Sequence, residues 1–276
     1  MSHNNIFQTV SPFWVQPAQP ALVIQQPAVH IHHIPNPTPN LAAAFKPKTA
    51  GSKSAHVVFI LDDSASMGSI RDLMISAFNE YVAGQKLGAV EKNVPTFVTL
   101  YKFDGRGVTR VYSRMPVDQV PALSRETYKA NGHSTNLYDA LGGALIEVNN
   151  DLAKLRKAQR DSIIIGILTD GQENSSSVFG SRDVKQMVEK SEAANWGFQF
   201  FGANINAYDV GSTLGFRVEN TMQFNVGNVE STMRGATRMA NDMKAAYAMG
   251  MDTASNYAAT AFTAAERTAS IGGDND

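Results

Sequence analysis

The chain has 276 residues, a formal net charge of −1, and hydrophobic and charged fractions of 43% and 18%. This is enough apolar material for one good-sized domain with appendages, and the near-zero charge excludes the global basic field that nucleic-acid binding needs. Cysteine is absent, which excludes disulfides, thiolate metal sites and cysteine nucleophiles, and no apolar run approaches the ~18 residues of a membrane helix.

Residues 1–54 read as an extended arm. Eight of the 11 prolines lie at or before Pro47, and the arm contains no Asp or Glu. Proline at this density opposes helix and central strand and favours polyproline II. The arm is also too apolar for a solvated linker, with Ile6, Phe7, Phe13, Trp14, Leu22, Ile24, Ile31 and Ile34. Docking on its own body, on a neighbouring copy or on another protein fits this composition better than a floppy tail. His30, His32 and His33 lack helical i, i+4 spacing and sit among prolines, so they do not read as a transition-metal site. Nor does the N-terminus read as a secretory signal, because it lacks a basic start and Pro12, Pro17 and Pro20 interrupt its apolar stretches. A cytoplasmic or virion-associated protein is expected.

Residues 55–225 alternate between strand and helix patterns. Strands are predicted over 56–61, 96–103, 107–113, 162–168, 197–202 and 217–224, and helices over 69–86, 136–155 and 182–194. Val57–Leu61 and Ile163–Leu168 are near-continuous apolar runs, as in strands covered on both faces. The hairpin Phe103-Asp-Gly-Arg-Gly107 adds one antiparallel edge strand. The expected fold is α/β, a doubly wound, mostly parallel sheet whose ligands collect at the carboxyl ends of the strands. Over 226–276 the chain reads as a C-terminal helix and a frayed tail. Val229, Met233, Ala236, Ala240, Met243 and Tyr247 form a seam that packs on the domain itself, with self-association as the alternative.

Five oxygen-bearing side chains fall where strands hand over to loops. Asp62, Ser64 and Ser66 follow the first strand as Asp-x-Ser-x-Ser, Thr135 precedes the second helix, and Asp170 follows Ile163–Leu168. Alternate positions of an extended loop point to one side, so the first three converge. Two carboxylates and three hydroxyls make a hard shell that suits Mg²⁺, Mn²⁺ or Ca²⁺ rather than Zn²⁺. Helix caps and turns use the same residue types, which is the bland alternative for any one element alone.

The ordered triple resembles the von Willebrand factor A (vWA) domain and its metal-ion-dependent adhesion site. Thr135 is followed by Leu137 and Ala140, and Asp170 by Gly171, as in that family. The resemblance covers about residues 55–225. It implies a Rossmann-like fold, Ser64, Ser66 and Thr135 as direct ligands, and Asp62 and Asp170 acting often through water. It also implies an open ion position that takes an acidic side chain from a protein partner. Two departures are Asp63, expected to face solvent, and Ala65, commonly Gly in the family. Phe200–Asn206 and Val210–Phe216 are similar to stand-alone bacterial and tailed-phage versions of the domain.

Enzyme readings rank lower. There is no Gly-x-Ser-x-Gly elbow, no Walker loop and no evident general base, although His133 lies near the cluster. The expectation is a non-enzymatic, metal-dependent module whose rim includes Tyr138, Phe179 and the segment Gln172–Gly180. An assembly protein working through its arm and C-terminal helix is the alternative. A Mg²⁺ hydrolase ranks third.

Overall fold

The computed structural model describes residues 29–31, 54–252, 257 and 259–272. Most of the expected arm, including His32 and His33, lies outside the described residues, as do 253–256, 258 and 273–276. The described part of the arm is a three-residue strand, β1 (Val29–Ile31), paired antiparallel with Val108–Arg110.

The other strands are β2 (Ala55–Asp62), β3 (Thr96–Asp104), β4 (Gly107–Pro116), β5 (Ser162–Thr169), β6 (Gly197–Ala203) and β7 (Thr221–Phe224). Their order is β1-β4-β3-β2-β5-β6-β7, with β2 parallel to both β3 and β5 and with β4 antiparallel to β3. The chain therefore builds outward from β2 in both directions. That leaves a topological switch at the carboxyl ends of β2 and β5, the place where open α/β sheets bind their ligands.

Helices cover both faces, which is why the central strands are apolar without alternation. Val57, Phe59 and Leu61 point toward α1 (Arg71–Glu91) and α5 (Val229–Ala248). Val58, Ile60, Ile163 and Ile165 point toward α2 (Leu137–Lys154) and α3 (Ser181–Ala193). Each such side chain, taken fully out of water, contributes about 1.5–3 kcal/mol.

Three differences from the sequence-based expectation have local causes. Helix α1 runs to Glu91 rather than 86, and its last turns expose Leu87 and Val90, so no buried stripe marks the extension. Within 217–224 only Thr221–Phe224 is strand, preceded by a single 3-10 turn, Val218–Asn220. A seven-residue helix, α4 (Ala207–Thr213), is capped by the Asn206 side chain and is too short to show periodicity.

The expected frayed tail contains a helix, α6 (Ala264–Ile271). Thr263 and Glu266 form a reciprocal capping box there, and Glu266 accepts two hydrogen bonds from the Arg238 guanidinium at 2.6 and 2.8 Å. Ser270 and Arg267 then donate to the Gln223 and Thr221 carbonyls. The seam of α5 is buried inside the domain, so Val229, Met233, Ala236, Ala240, Met243 and Tyr247 present no face to a second copy. Among the described residues no helix is long and apolar enough to cross a membrane.

Candidate metal centre

Where β2 ends, the chain passes into a 3-10 turn, Ala65–Ile70, and Met67 plugs the core beneath it. Asp62 is fully buried. Its Oδ1 accepts the Ser64 backbone N–H at 2.8 Å, a local turn that sets the loop's direction. The Ser64 and Ser66 hydroxyls lie 3.0 Å apart, and the Ser66 hydroxyl donates to Asp170 Oδ1 at 2.7 Å. Four of the five expected residues are thus linked by direct hydrogen bonds.

Thr135 arrives from the other side and is buried. Its N–H donates to Asn174 Oδ1 at 2.8 Å, and the Asn174 N–H donates back to the Thr135 carbonyl at 3.0 Å. Gly171 locates its hydroxyl: a Cβ built on that glycine lies 3.0 Å from Thr135 Oγ1 and 3.8 Å from Asp62 Oδ2. Gly132 is required for close approach, because any Cβ there would collide with the Asp104 carboxylate of the β3–β4 hairpin. Ala65 is exposed and its φ is not positive, so the missing glycine costs the loop nothing.

The electrostatics favour a cation. Burial pushes the Asp62 carboxyl up to about 6, against the opposing hydrogen bonds from Thr169 and Ser64, and nearby Asp170 pushes it the same way. Asp170 is also raised, chiefly by burial, although the Ser66 hydroxyl works the other way. A fully buried carboxylate with a second, half-buried one nearby is what a divalent ion relieves. Among the described residues no three His, Cys, Asp or Glu side chains gather. An ion here would depend on the hydroxyls, and the five residues present fit a hard, oxygen-preferring cation.

Several residues in the site are not legible as functional from the sequence. Thr169 donates to Asp62 Oδ2 at 2.6 Å and accepts the Gly171 N–H at 3.0 Å, orienting the carboxylate from the adjacent strand. Its position beside Asp170 is the one available signal. Asp63 does not face solvent as expected: Lys102 Nζ lies 3.0 Å from Oδ2, and the Ala130 N–H donates to Oδ1 at 2.6 Å. Phe179 is not on the rim but buried, and its ring would meet a Cβ on Gly142 of α2 at 2.7 Å. Tyr138 is half-buried, while Gln172, Asn174, Ser177 and Gly180 of the expected rim segment are exposed.

That segment is stiffly held. Glu173 accepts the N–H groups of Tyr138, Ser175 and Ser176, and Asp139 accepts those of Ser177, Val178 and Phe179. His133 is exposed on the Thr135 loop, and His56 sits at the opposite end of β2.

No family model and no curated protein matches the sequence. Solved structures do. A pilus adhesin, SpaC from Lactobacillus rhamnosus GG in its open conformation, superposes with a TM-score of 0.52 at 10% identity, covering 72% of this chain and 31% of that one. This chain therefore spans about a third of the adhesin's length. The manganese-loaded TRAP protein of Plasmodium vivax gives 0.46 at 16% identity, covering 68% of this chain and 75% of that one. The VWA domain of SpRpn10 gives 0.43 at 8%, covering 64% and 94%. With a parallel sheet built outward from β2, one antiparallel strand next to β3, helices on both faces and the Asp-x-Ser-x-Ser turn at the switch point, the chain folds as a von Willebrand factor A domain.

Proposed function

We propose that this domain is a non-enzymatic, divalent-cation-dependent protein-binding module. The observation that carries the reading is the convergence of the buried Asp62 and half-buried Asp170 carboxylates with the Ser64, Ser66 and Thr135 hydroxyls at the switch point. Ser64, Ser66 and Thr135 would contact the ion directly, and Asp62 and Asp170 would neutralise it directly or through water. A bound Mg²⁺ or Mn²⁺ would supply a Lewis-acidic position for a partner's Asp or Glu. The residues of this chain would do the rest. Thr169 orients Asp62, Asn174 orients Thr135, and the Glu173- and Asp139-braced segment presents a rigid rim at low entropic cost.

Binding suits the site better than hydrolysis. Both carboxylates are already engaged by hydroxyl donors, and of the two histidines within 55–225 His56 lies six residues up β2, roughly 20 Å away at ~3.3 Å per residue, while His133 is solvent-exposed on the Thr135 loop. Calorimetric titration of Mn²⁺ into the wild type and Ser64→Ala/Ser66→Ala tests the metal step. Acidic peptides with amidated termini, added in Mn²⁺ and in EDTA, test the partner step. One-site binding lost in the double variant and peptide binding only with Mn²⁺ are the expected results. Turnover of a phosphoester that disappears in Asp62→Ala would replace this reading with a hydrolase.

A further inference from the structure

Thr135 is delivered by a long irregular connection between β4 and α2, with one 3-10 turn, Val117–Gln119, near its start. Something other than secondary structure must fix its end against the Asp62–Ser66 turn. The contacts that do so converge on Asp63. Its carboxylate takes the Ala130 N–H at 2.6 Å and the Lys102 ammonium at 3.0 Å. Lys102 Nζ also donates to the Thr127 carbonyl at 2.9 Å. On the main chain, the Gly132 N–H donates to the Asp63 carbonyl at 2.9 Å, and the Asp63 N–H donates to the Phe103 carbonyl at 2.8 Å. One residue earlier, the hydroxyl of buried Tyr128 donates to the Asp62 carbonyl at 2.6 Å. Ser64 and Gly132 form a parallel bridge that closes the seam.

Ala130 holds φ at +49°, in the left-handed region that a residue with a Cβ avoids. Such a conformation persists only where surrounding contacts over-determine it. The Asp63 carboxylate holds the amide of that same residue.

We propose that Asp63 and Lys102 are positioning residues, a charged strap that fixes the 124–135 loop, and with it Thr135, in the geometry of the metal centre before an ion arrives. The pair acts through geometry rather than through its field, since the ammonium balances the carboxylate. An ion then binds a pre-formed shell instead of ordering a loop. The inference rests on the metal-binding reading for its functional consequence but not for its structural content, and the two can fail separately.

The test combines amide hydrogen exchange in EDTA with Mn²⁺ titration, at a temperature where every variant is folded. Asp63→Ala is expected to speed exchange over residues 127–132 in the ion-free protein. It should also weaken Mn²⁺ binding about 10- to 100-fold, as outer-shell substitutions do. Asp63→Asn keeps an acceptor for the Ala130 N–H but turns an amide NH2 toward the Lys102 ammonium, so its affinity and loop exchange should fall between those of Asp63→Ala and the wild type. Ala130→Gly should recover part of the loss in the Asp63→Ala background, because glycine adopts a positive φ without a steric cost. Wild-type exchange and affinity in Asp63→Ala overturn the proposal. So does an affinity loss with unchanged loop exchange and no rescue by Ala130→Gly, which would assign the effect to charge alone. Where Asp63→Ala does not fold, Lys102→Gln gives the same reading through exchange at Thr127 and Tyr128. A wild type that binds no Mn²⁺ sinks the metal reading, while exchange in the ion-free protein still decides the strap.

Discussion

Asp62→Asn should stabilise the ion-free protein while destroying the site. Asp62 is fully buried, and in the absence of a cation burial holds its carboxyl at about 6, against an ordinary value of 3.8. At neutral pH the folded state therefore carries a charge that the unfolded chain accommodates more easily. A carboxyl displaced from 3.8 to about 6 costs the folded state about 3 kcal/mol at neutral pH. Asparagine keeps an acceptor for the Ser64 N–H and leaves Thr169 a second acceptor, the Gly171 carbonyl at 3.2 Å. The net gain is then roughly 2–3 kcal/mol, or about 4–12 °C in Tm for a domain of this size.

The sign fixes the pH window. Below pH 3.8 the wild-type carboxyl is neutral in both states and the two proteins should match. The gap opens as pH rises from 3.8 to about 6 and is constant above that. Adding Mn²⁺ at about 100 times its Kd should raise only the wild type, by about 2.7 kcal/mol, closing the gap. Thermal denaturation in EDTA and in Mn²⁺, at pH 4 and pH 7.5, reads all of this. An Asp62→Asn protein less stable than wild type in EDTA at pH 7.5 would show that the buried Asp62 charge does not destabilise the ion-free fold.

Three further outcomes follow from buried polar groups. Burial depresses His56 to about 4 from 6.5, so the unfolded chain takes up the proton first and stability should fall by about 3 kcal/mol as pH drops from 6.5 to 4. Denaturant titrations in the Asp62→Asn background, which removes the opposing trend of Asp62, should show this fall, and His56→Gln should abolish it. Lys244 is buried with its ammonium 3.3 Å from the Thr96 hydroxyl, and burial lowers it to about 7 from 10.5. Lys244→Met should therefore be the more stable protein at pH 6, with its advantage shrinking as pH rises from 7 to 10.5; a less stable Lys244→Met at pH 6 contradicts this. Asp139→Ala strips the acceptor from three backbone N–H groups and should cost about 3–5 kcal/mol, read as a lower denaturation midpoint together with faster exchange over 177–179.

What the sequence makes legible depends on local pattern. Asp62, Ser64 and Ser66 can be placed because an apolar run ends at Leu61 and alternate loop positions share a side. Asp170 follows from the next such run. The residues that complete the site depend on which strands lie side by side. Thr169 reaches Asp62 only because β5 pairs with β2, and Lys102 reaches Asp63 only because β3 pairs with β2 on its other edge. No spacing within the chain encodes either contact. An apolar loop residue reads alike on a rim or under one, which is why Phe179 reads as rim and is buried. Helix α6 stays hidden in the sequence because much of what holds it lies outside its own segment, in Arg238, Gln223 and Thr221.

The most direct test of the account is calorimetric titration of Mn²⁺ into the wild type and into Ser64→Ala/Ser66→Ala, with thermal denaturation confirming that both are folded. Saturable one-site binding by the wild type and none by the double variant at the same concentrations is the expected result. Equal binding by both proteins, or none by a folded wild type, would contradict it.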